Sequence, residues 1–191
     1  MIRRGDTIAN PVTGERVTFL KTSAETDGEL VLIDTTVAPG GFVAAEHLHP
    51  YQSERFEIVF GEVEFMLGKE ISVAKPGDVL MVEPSVPHRF RNVGEEEIRF
   101  LTEVRPALSF ETFLQTMFGL ASDGKTNEKG LPNPLMLAVI MNEQFNLVRL
   151  PFAPAWVQRL ALALGAPLGL LFGFEPTYVP EYESEQVDRV A

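Results

Sequence analysis

Cysteine is missing from all 191 residues. That absence excludes disulfides, thiolate nucleophiles, zinc ribbons and Cys-ligated iron–sulfur clusters together. Basic residues are few: 16 Lys+Arg stand against 27 Asp+Glu, for a formal charge of −11. With no basic stripe to oppose that balance, neither nucleic acid nor an anionic bilayer is an expected partner. Behind the two arginines of the opening MIRRGDTIANP there is no apolar run of the roughly 7–15 residues that a secretory signal needs. A cytoplasmic protein is the default expectation. The length suits one ordinary domain with an appended element, enough to hide about 70% of the unfolded surface.

The chain divides in two by texture. From about Thr7 to Arg105, short β-branched and aromatic runs alternate with Gly, Pro and charge. Candidate strands are Arg16–Lys21, Glu29–Val37, Phe42–His49, Ser53–Phe60, Glu62–Leu67, Ile71–Ala74, Asp78–Glu83, His88–Val93 and Glu97–Val104. Period-two alternation puts Val63, Phe65 and Leu67 on one face, and Ile98, Phe100, Thr102 and Val104 on another. Short strands with tight turns at Pro39-Gly40-Gly41, Phe60-Gly61 and Pro76-Gly77-Asp78 predict a mainly β, antiparallel sandwich or barrel with Greek-key or jelly-roll wiring.

After Pro106 the pattern becomes helical, so residues 1–106 are expected to form the β domain and 107–191 a C-terminal helical extension with an acidic tail. Ser109 is placed to cap a helix over Phe110–Ala121, with Glu111 favouring its dipole. Asn133-Pro134 opens a second helix to about Leu150, and Ala153-Pro154 a third to Leu164. Gly165-Ala166-Pro167 is expected to interrupt it, with a further turn or two in Leu168–Phe174. Beyond, Glu175, Glu181, Glu183, Glu185 and Asp188 face only Arg189, and a frayed, solvated end is expected.

All three histidines fall in one constellation. His47 and His49, two apart on an expected strand, leave the same face of the sheet. Glu54 opens the next strand, in register with Phe56, Ile58 and Phe60. A carboxylate starting an inward apolar row needs a partner, since burying it alone costs several kcal/mol. A divalent cation ringed by neutral imidazoles is such a partner. His88 starts another strand after Pro84-Ser85-Val86-Pro87 and can point at the same spot. Three nitrogens and one oxygen are a reasonable set for a divalent transition metal.

Residues 41–61, GFVAAEHLHPYQSERFEIVFG, space Gly41, His47, His49, Glu54 and Gly61 so that they resemble the first motif of the cupin family. Residues 77–92, GDVLMVEPSVPHRFRN, resemble the second, with Gly77, His88 and Asn92 in place. Glu83 and Ser85 depart from the family's usual proline and glycine, in the turn before His88. Over roughly residues 29–105, the resemblance implies a jelly-roll β-barrel with metal ligands at His47, His49, Glu54 and His88. It also implies one divalent transition metal per chain, iron first, with manganese, nickel, zinc, cobalt or copper as alternatives, and a homodimer.

A fold of this kind hosts many chemistries, so function must be argued from the site. Phe56, Ile58, Phe60, Phe65, Met81, Phe90 and Phe100 are candidate lining or core residues. An apolar wall with one ion favours a small, largely apolar, chelating substrate and a metal-dependent oxygenase of dioxygenase type. Proton transfer then falls to Glu54, a metal-bound water or Tyr51. The alternatives are a non-catalytic metal or small-molecule binding protein and a sugar isomerase or epimerase. In the tail, Leu135–Met141 is apolar all round, as in a buried helix. Trp156–Phe174 has only Gln158 and Arg159 as polar residues, yet the Gly-Ala-Pro break leaves its halves too short to span a bilayer. Helices packed on the outside of the barrel or on a second subunit are expected, rather than membrane association.

Overall fold

The computed structural model describes residues 2–180. The acidic run from Glu181 onward, expected to fray, lies outside the described residues. The strands are β1 (Thr7–Asn10), β2 (Glu15–Lys21), β3 (Val31–Val37), β4 (Ser53–Phe60), β5 (Val63–Leu67), β6 (Glu70–Ala74), β7 (Val79–Val82), β8 (His88–Arg91) and β9 (Ile98–Arg105). The helices are α1 (Phe110–Ser122), α2 (Pro134–Glu143) and α3 (Ala155–Leu171). A six-stranded antiparallel sheet runs β1-β2-β3-β9-β4-β7, and a three-stranded one β6-β5-β8. The strand β9 returns between β3 and β4, so the wiring crosses over rather than meandering.

Two apolar clusters hold these layers together. Phe56, Ile58, Phe65, Phe90 and Phe100 fill the space between the two sheets. Val17, Phe19, Ile33 and Val104 instead meet Phe110, Leu120 and Ile140 from α1 and α2. The small sheet therefore covers one part of the large sheet's inner face, and the helices cover the rest.

The ladders do not close into a barrel. Phe42–His49, expected as a strand, makes only isolated bridges, Phe42 to Arg91 and His47 to His88 within the β part and Leu48 to Arg149 in the tail. The reason lies in where its backbone donors go: Phe42 N–H to Thr13, Val43 to Phe90, His47 to His88 and Leu48 to Arg149. A segment that divides its hydrogen bonds among so many partners cannot keep one register. Conversely β1, absent from the expected strands, pairs with β2 through Thr7–Asn10 opposite Glu15–Thr18. A register shift between Ile58 and Phe60 ends the inward row of β4, which leaves Phe60 51% exposed instead of in the core. Met81 is also outside, since it pairs across from Arg55 on the outer face.

The helices begin where expected but end differently. Ser109 occupies the N-cap of α1, yet its hydroxyl donates to Gln144 instead of capping. The Glu111 carboxylate accepts from the Ser23 backbone N–H and hydroxyl, tying α1 to the sheet side. Asn133 does cap α2, accepting Leu135 N–H at 2.9 Å. That helix stops at Glu143 and not Leu150, because Leu48 and Arg149 exchange two backbone hydrogen bonds of 2.9 Å and need extended chain there.

The expected break in the third helix is absent, and α3 runs through Pro167. An internal proline costs roughly 3 kcal/mol, so packing must compensate. Gly165 and Gly169 lie against α2: a Cβ on Gly169 would sit 2.5 Å from Val139 Cγ2 and 2.7 Å from the Leu135 carbonyl oxygen. The two helices thus approach along a side-chain-free strip. Gly169→Val is expected to lower stability by about 1–3 kcal/mol through overpacking, read as a fall in urea midpoint; no change would mean this contact is not formed. The opposite face of α3, with Trp156, Leu160 and Leu164, is exposed. No helix among the described residues is long and apolar enough to cross a membrane.

Candidate metal centre

Four side chains from three segments of the chain converge at one end of the space between the sheets. Glu54 is the second residue of β4 and starts the buried row continued by Phe56 and Ile58. His88 is the first residue of β8, and its backbone exchanges hydrogen bonds of 2.8 and 3.1 Å with His47. His49 follows two residues later in the same loop. One ligand atom from each of His47, His49, Glu54 and His88 lies within 4.8 Å of the others, a grouping that can hold a metal ion. Tyr51, by contrast, is exposed in the turn and does not line the cavity.

The second nitrogen of each imidazole decides what the first can do. His47 Nδ1 lies 2.9 Å from the Ala45 carbonyl, His49 Nδ1 2.7 Å from Leu147 and His88 Nδ1 3.0 Å from Val86. A carbonyl oxygen only accepts, so each Nδ1 carries the proton and each neutral ring offers Nε2 as a lone pair. The His49 partner comes from the segment after α2, so the helical extension helps to orient the site.

That arrangement passes a physical test for a cation. His49 Nε2, Glu54 Oε2 and His88 Nε2 are buried with no aligned hydrogen-bond partner. Glu54 Oε2 is 2.7 Å from His88 Nε2 and 3.6 Å from His49 Nε2. Acceptors that close repel unless a proton or a metal lies among them. The donor set, three imidazoles and a carboxylate, fits a divalent transition ion.

The electrostatics agree. Burial, reinforced by the neighbouring His88 and His49, pushes His47 down to about 3, so it is neutral. Burial alone would raise the Glu54 carboxyl, but attraction to His49, His88 and His47, with the His88 contact, outweighs it and holds Glu54 at about 2. The same carboxylate raises His88 against its own desolvation.

The cluster opens into a cavity of about 280 Å³. Of the apolar residues expected as lining or core, Phe56, Phe90 and Phe100 line the cavity, and Ile58 and Phe65 belong to the core behind it. Phe60 and Met81 lie outside, for the register reasons above. Phe110, Phe113 and Met117 of α1 and Leu137 and Met141 of α2 line this same cavity, whereas α3, within the segment expected on the outside of the barrel, packs on α2 and lines none of it. Phe110, Phe113 and Met117 recur at helical spacing, so an apolar stripe is readable in sequence; what it covers is not. Glu15, Asn10 and Thr35 also line the wall and went unnoticed. Glu15 precedes Val17 and Phe19 in an inward row, the same signal that marked Glu54.

The glycine and asparagine of the two motifs have structural roles. A Cβ on Gly41 would lie 2.6 Å from the Thr13 oxygen and from Val37 Cγ1, so the loop passes only without a side chain. Asn92 donates to the Val37 and Glu96 carbonyls and accepts from Gly94 N–H, tying the end of β8 to β3.

The sequence model described as "Cupin domain" matches residues 33–103. The polyketide synthase CurC of Streptomyces cyaneus is 39% identical over 62 residues, 32% of this chain and 40% of that protein. Protein SchB of Streptomyces halstedii is 34% identical over 70 residues, 37% and 50% respectively. The chain thus spans half or less of the length of these curated relatives. Among solved structures, an RmlC-like cupin from Shewanella frigidimarina shares 19% identity with a TM-score of 0.49, covering 56% of this chain and 89% of that one. KdgF from Halomonas sp. shares 17% with a TM-score of 0.46, covering 53% and 86%. Through residues 33–103, the stretch that carries both motifs, the chain is similar to the cupin domain.

Proposed function

We propose that His47, His49, Glu54 and His88 hold one divalent transition metal, and that the protein is a metal-dependent enzyme of oxygenase type on a small, apolar, chelating substrate. The observation that carries this reading is the set of buried, unpartnered Nε2 and Oε2 atoms at the end of a phenylalanine-lined cavity. The jelly-roll barrel belongs to the same reading, the two sheets enclosing the cavity as such a barrel would. The bound ion would supply Lewis-acid polarisation of a substrate oxygen and, if redox-active, one-electron chemistry with dioxygen.

The chain supplies the rest. Phe56, Phe90, Phe100, Phe110 and Phe113 exclude water and favour a flat or greasy body. Glu54 is assigned proton handling at Oε2 as well as ligation, because it is the carboxylate that touches the imidazoles. A sugar isomerase fits less well, since this wall offers few partners for a polyol. The relative named polyketide synthase points instead to substrates with a 1,3-dicarbonyl or enol, which present two oxygens to one metal on an apolar body.

Iron-loaded protein should consume oxygen with at least one member of a panel of catechols, flavonols and β-diketones. It should do so at a rate at least about tenfold above the His88→Ala protein. If every member binds and raises the thermal midpoint while none is turned over with any metal, the enzymatic part of the proposal falls and a binding protein stands.

A further inference from the structure

The cavity has a second polar end. Asn10, Glu15 and Thr35 line it together with the metal cluster, although they sit on β1, β2 and β3 rather than beside the histidines. Glu15 lies opposite Asn10 on one side and Val37 on the other. Thr35, two residues before Val37, is therefore its diagonal neighbour on the same face. The Thr35 hydroxyl is unusual: the residue is 2% exposed, and Oγ1 has no hydrogen-bond partner. A buried hydroxyl left unpaired costs about 1–3 kcal/mol, which a fold built for packing alone would avoid with valine.

Its neighbours are only partly satisfied. Thr13 donates to Glu15 Oε2 at 2.8 Å. The Asn10 amide oxygen accepts from the Val12 and Thr13 backbone N–H groups, which makes its NH2 the side left to donate. Burial pushes the Glu15 carboxyl up to about 7, against the Thr13 hydrogen bond that lowers it. Near neutral pH it is thus in large part an uncharged acid, able to donate as well as accept. Three side chains of mixed donor and acceptor character, with no cation among them, suit an uncharged oxygen: an alcohol, a phenol or a ketone.

The ladders give the span. Glu54 pairs with Val104 on β9, whereas Val37, the partner of Glu15, pairs with Ile98. In a flat sheet that offset is about 20 Å along the strands and about 14 Å across them, less where the sheet curls. Phe100 and Phe56 occupy the wall between.

We infer that Glu15, Thr35 and Asn10 form a second anchor, which selects elongated apolar molecules with a chelating oxygen pair at one end and an uncharged hydroxyl or carbonyl at the other. This rests on the metal reading for the first end only. The shared logic is two polar termini and a greasy middle: an apolar wall gives affinity without orientation, and a hydrogen-bonding site at each end fixes both direction and length.

The test uses a homologous series of medium- to long-chain alkane-2,4-diones, each with and without a terminal hydroxyl. Binding is followed by calorimetry to zinc-loaded and metal-free protein. At one chain length the hydroxyl should tighten binding about tenfold, the worth of one good buried hydrogen bond. Thr35→Val and Glu15→Met should each abolish that gain while leaving the dione without the hydroxyl unaffected. Thr35→Val removes an unpaired buried hydroxyl, so its thermal midpoint should stay level or rise, whereas Glu15→Met takes the acceptor from the buried Thr13 hydroxyl and should lower its midpoint modestly. Loss of the hydroxyl gain in Thr35→Val, with its midpoint kept, is therefore the decisive readout. Diones that bind through zinc but gain nothing from the hydroxyl at any length overturn this inference and leave the metal reading intact. A gain that survives both substitutions does the same. A hydroxyl gain lost in both variants, in protein that takes up no zinc, supports the anchor and overturns the metal reading. No binding in either form overturns both.

Discussion

Replacing His88 with alanine should strip the protein of its metal. Native protein is expected to carry about one transition metal per chain by elemental analysis, and His88→Ala close to none. Even partners that only orient a ligand change affinity by roughly 10–100-fold, so losing the ligand itself should cost at least about 100-fold. The fold should survive, because the pairing of His88 with His47 runs through the backbone and not through the ring. Stability should nevertheless fall. Glu54, 4% exposed, loses the group 2.7 Å from its Oε2, and an orphaned buried charge costs about 3–5 kcal/mol. Arg89→Ala, on the outer face beside it, serves as control and should change neither quantity. Unaltered metal content in His88→Ala would sink the proposed centre.

The site was legible in the sequence because its signal is local. Period-two alternation puts His47 and His49 on one face and sets Glu54 at the head of an apolar row, and the spacing of the two motifs adds His88. Burial then demands a partner for the charge. What could not be read was which surfaces meet. The end of α2 depends on Leu48 reaching Arg149, 101 residues away in sequence. Nothing in the local pattern announces that pairing. The same contact brings the Leu147 carbonyl to His49, so a residue in the tail fixes a ring in the β domain. Likewise α1 reads as amphipathic, yet only the structure shows its stripe roofing the cavity. Glu15 differs: the strand begins one residue before the expected Arg16, and that residue starts the inward row of Val17 and Phe19. Phe60 erred the other way, because a register shift of one residue is invisible to alternation. The Pro167 break failed because helix–helix packing on Gly165 and Gly169 outweighs a local propensity.

Phe65→Ala should be the most damaging core substitution, and its effect should reach the metal. Phe65 is fully buried on β5 of the small sheet, and its ring lies 5.1 Å from Phe56, 5.9 Å from Phe90 and 6.2 Å from Phe100. Phe56 and Phe100 belong to β4 and β9 of the large sheet, whereas Phe90 lies beside it on β8. The two sheets share no ladder among the described strands, so side-chain packing of this kind carries much of their attachment. Truncating a buried phenylalanine costs about 3–5 kcal/mol, enough to move the denaturant midpoint well beyond error. The site spans the same seam: His88 rides on the small sheet two residues before Phe90, and Glu54 on the large sheet two residues before Phe56. A looser seam lets His88 drift from Glu54, so zinc affinity should weaken several-fold even though no ligand has been touched. Phe60→Ala offers the contrast, because that ring lies outside the seam and should leave zinc affinity unchanged. Equal effects from the two substitutions, or full zinc affinity in a destabilised Phe65→Ala protein, would show that the sheets are held by something other than this aromatic cluster.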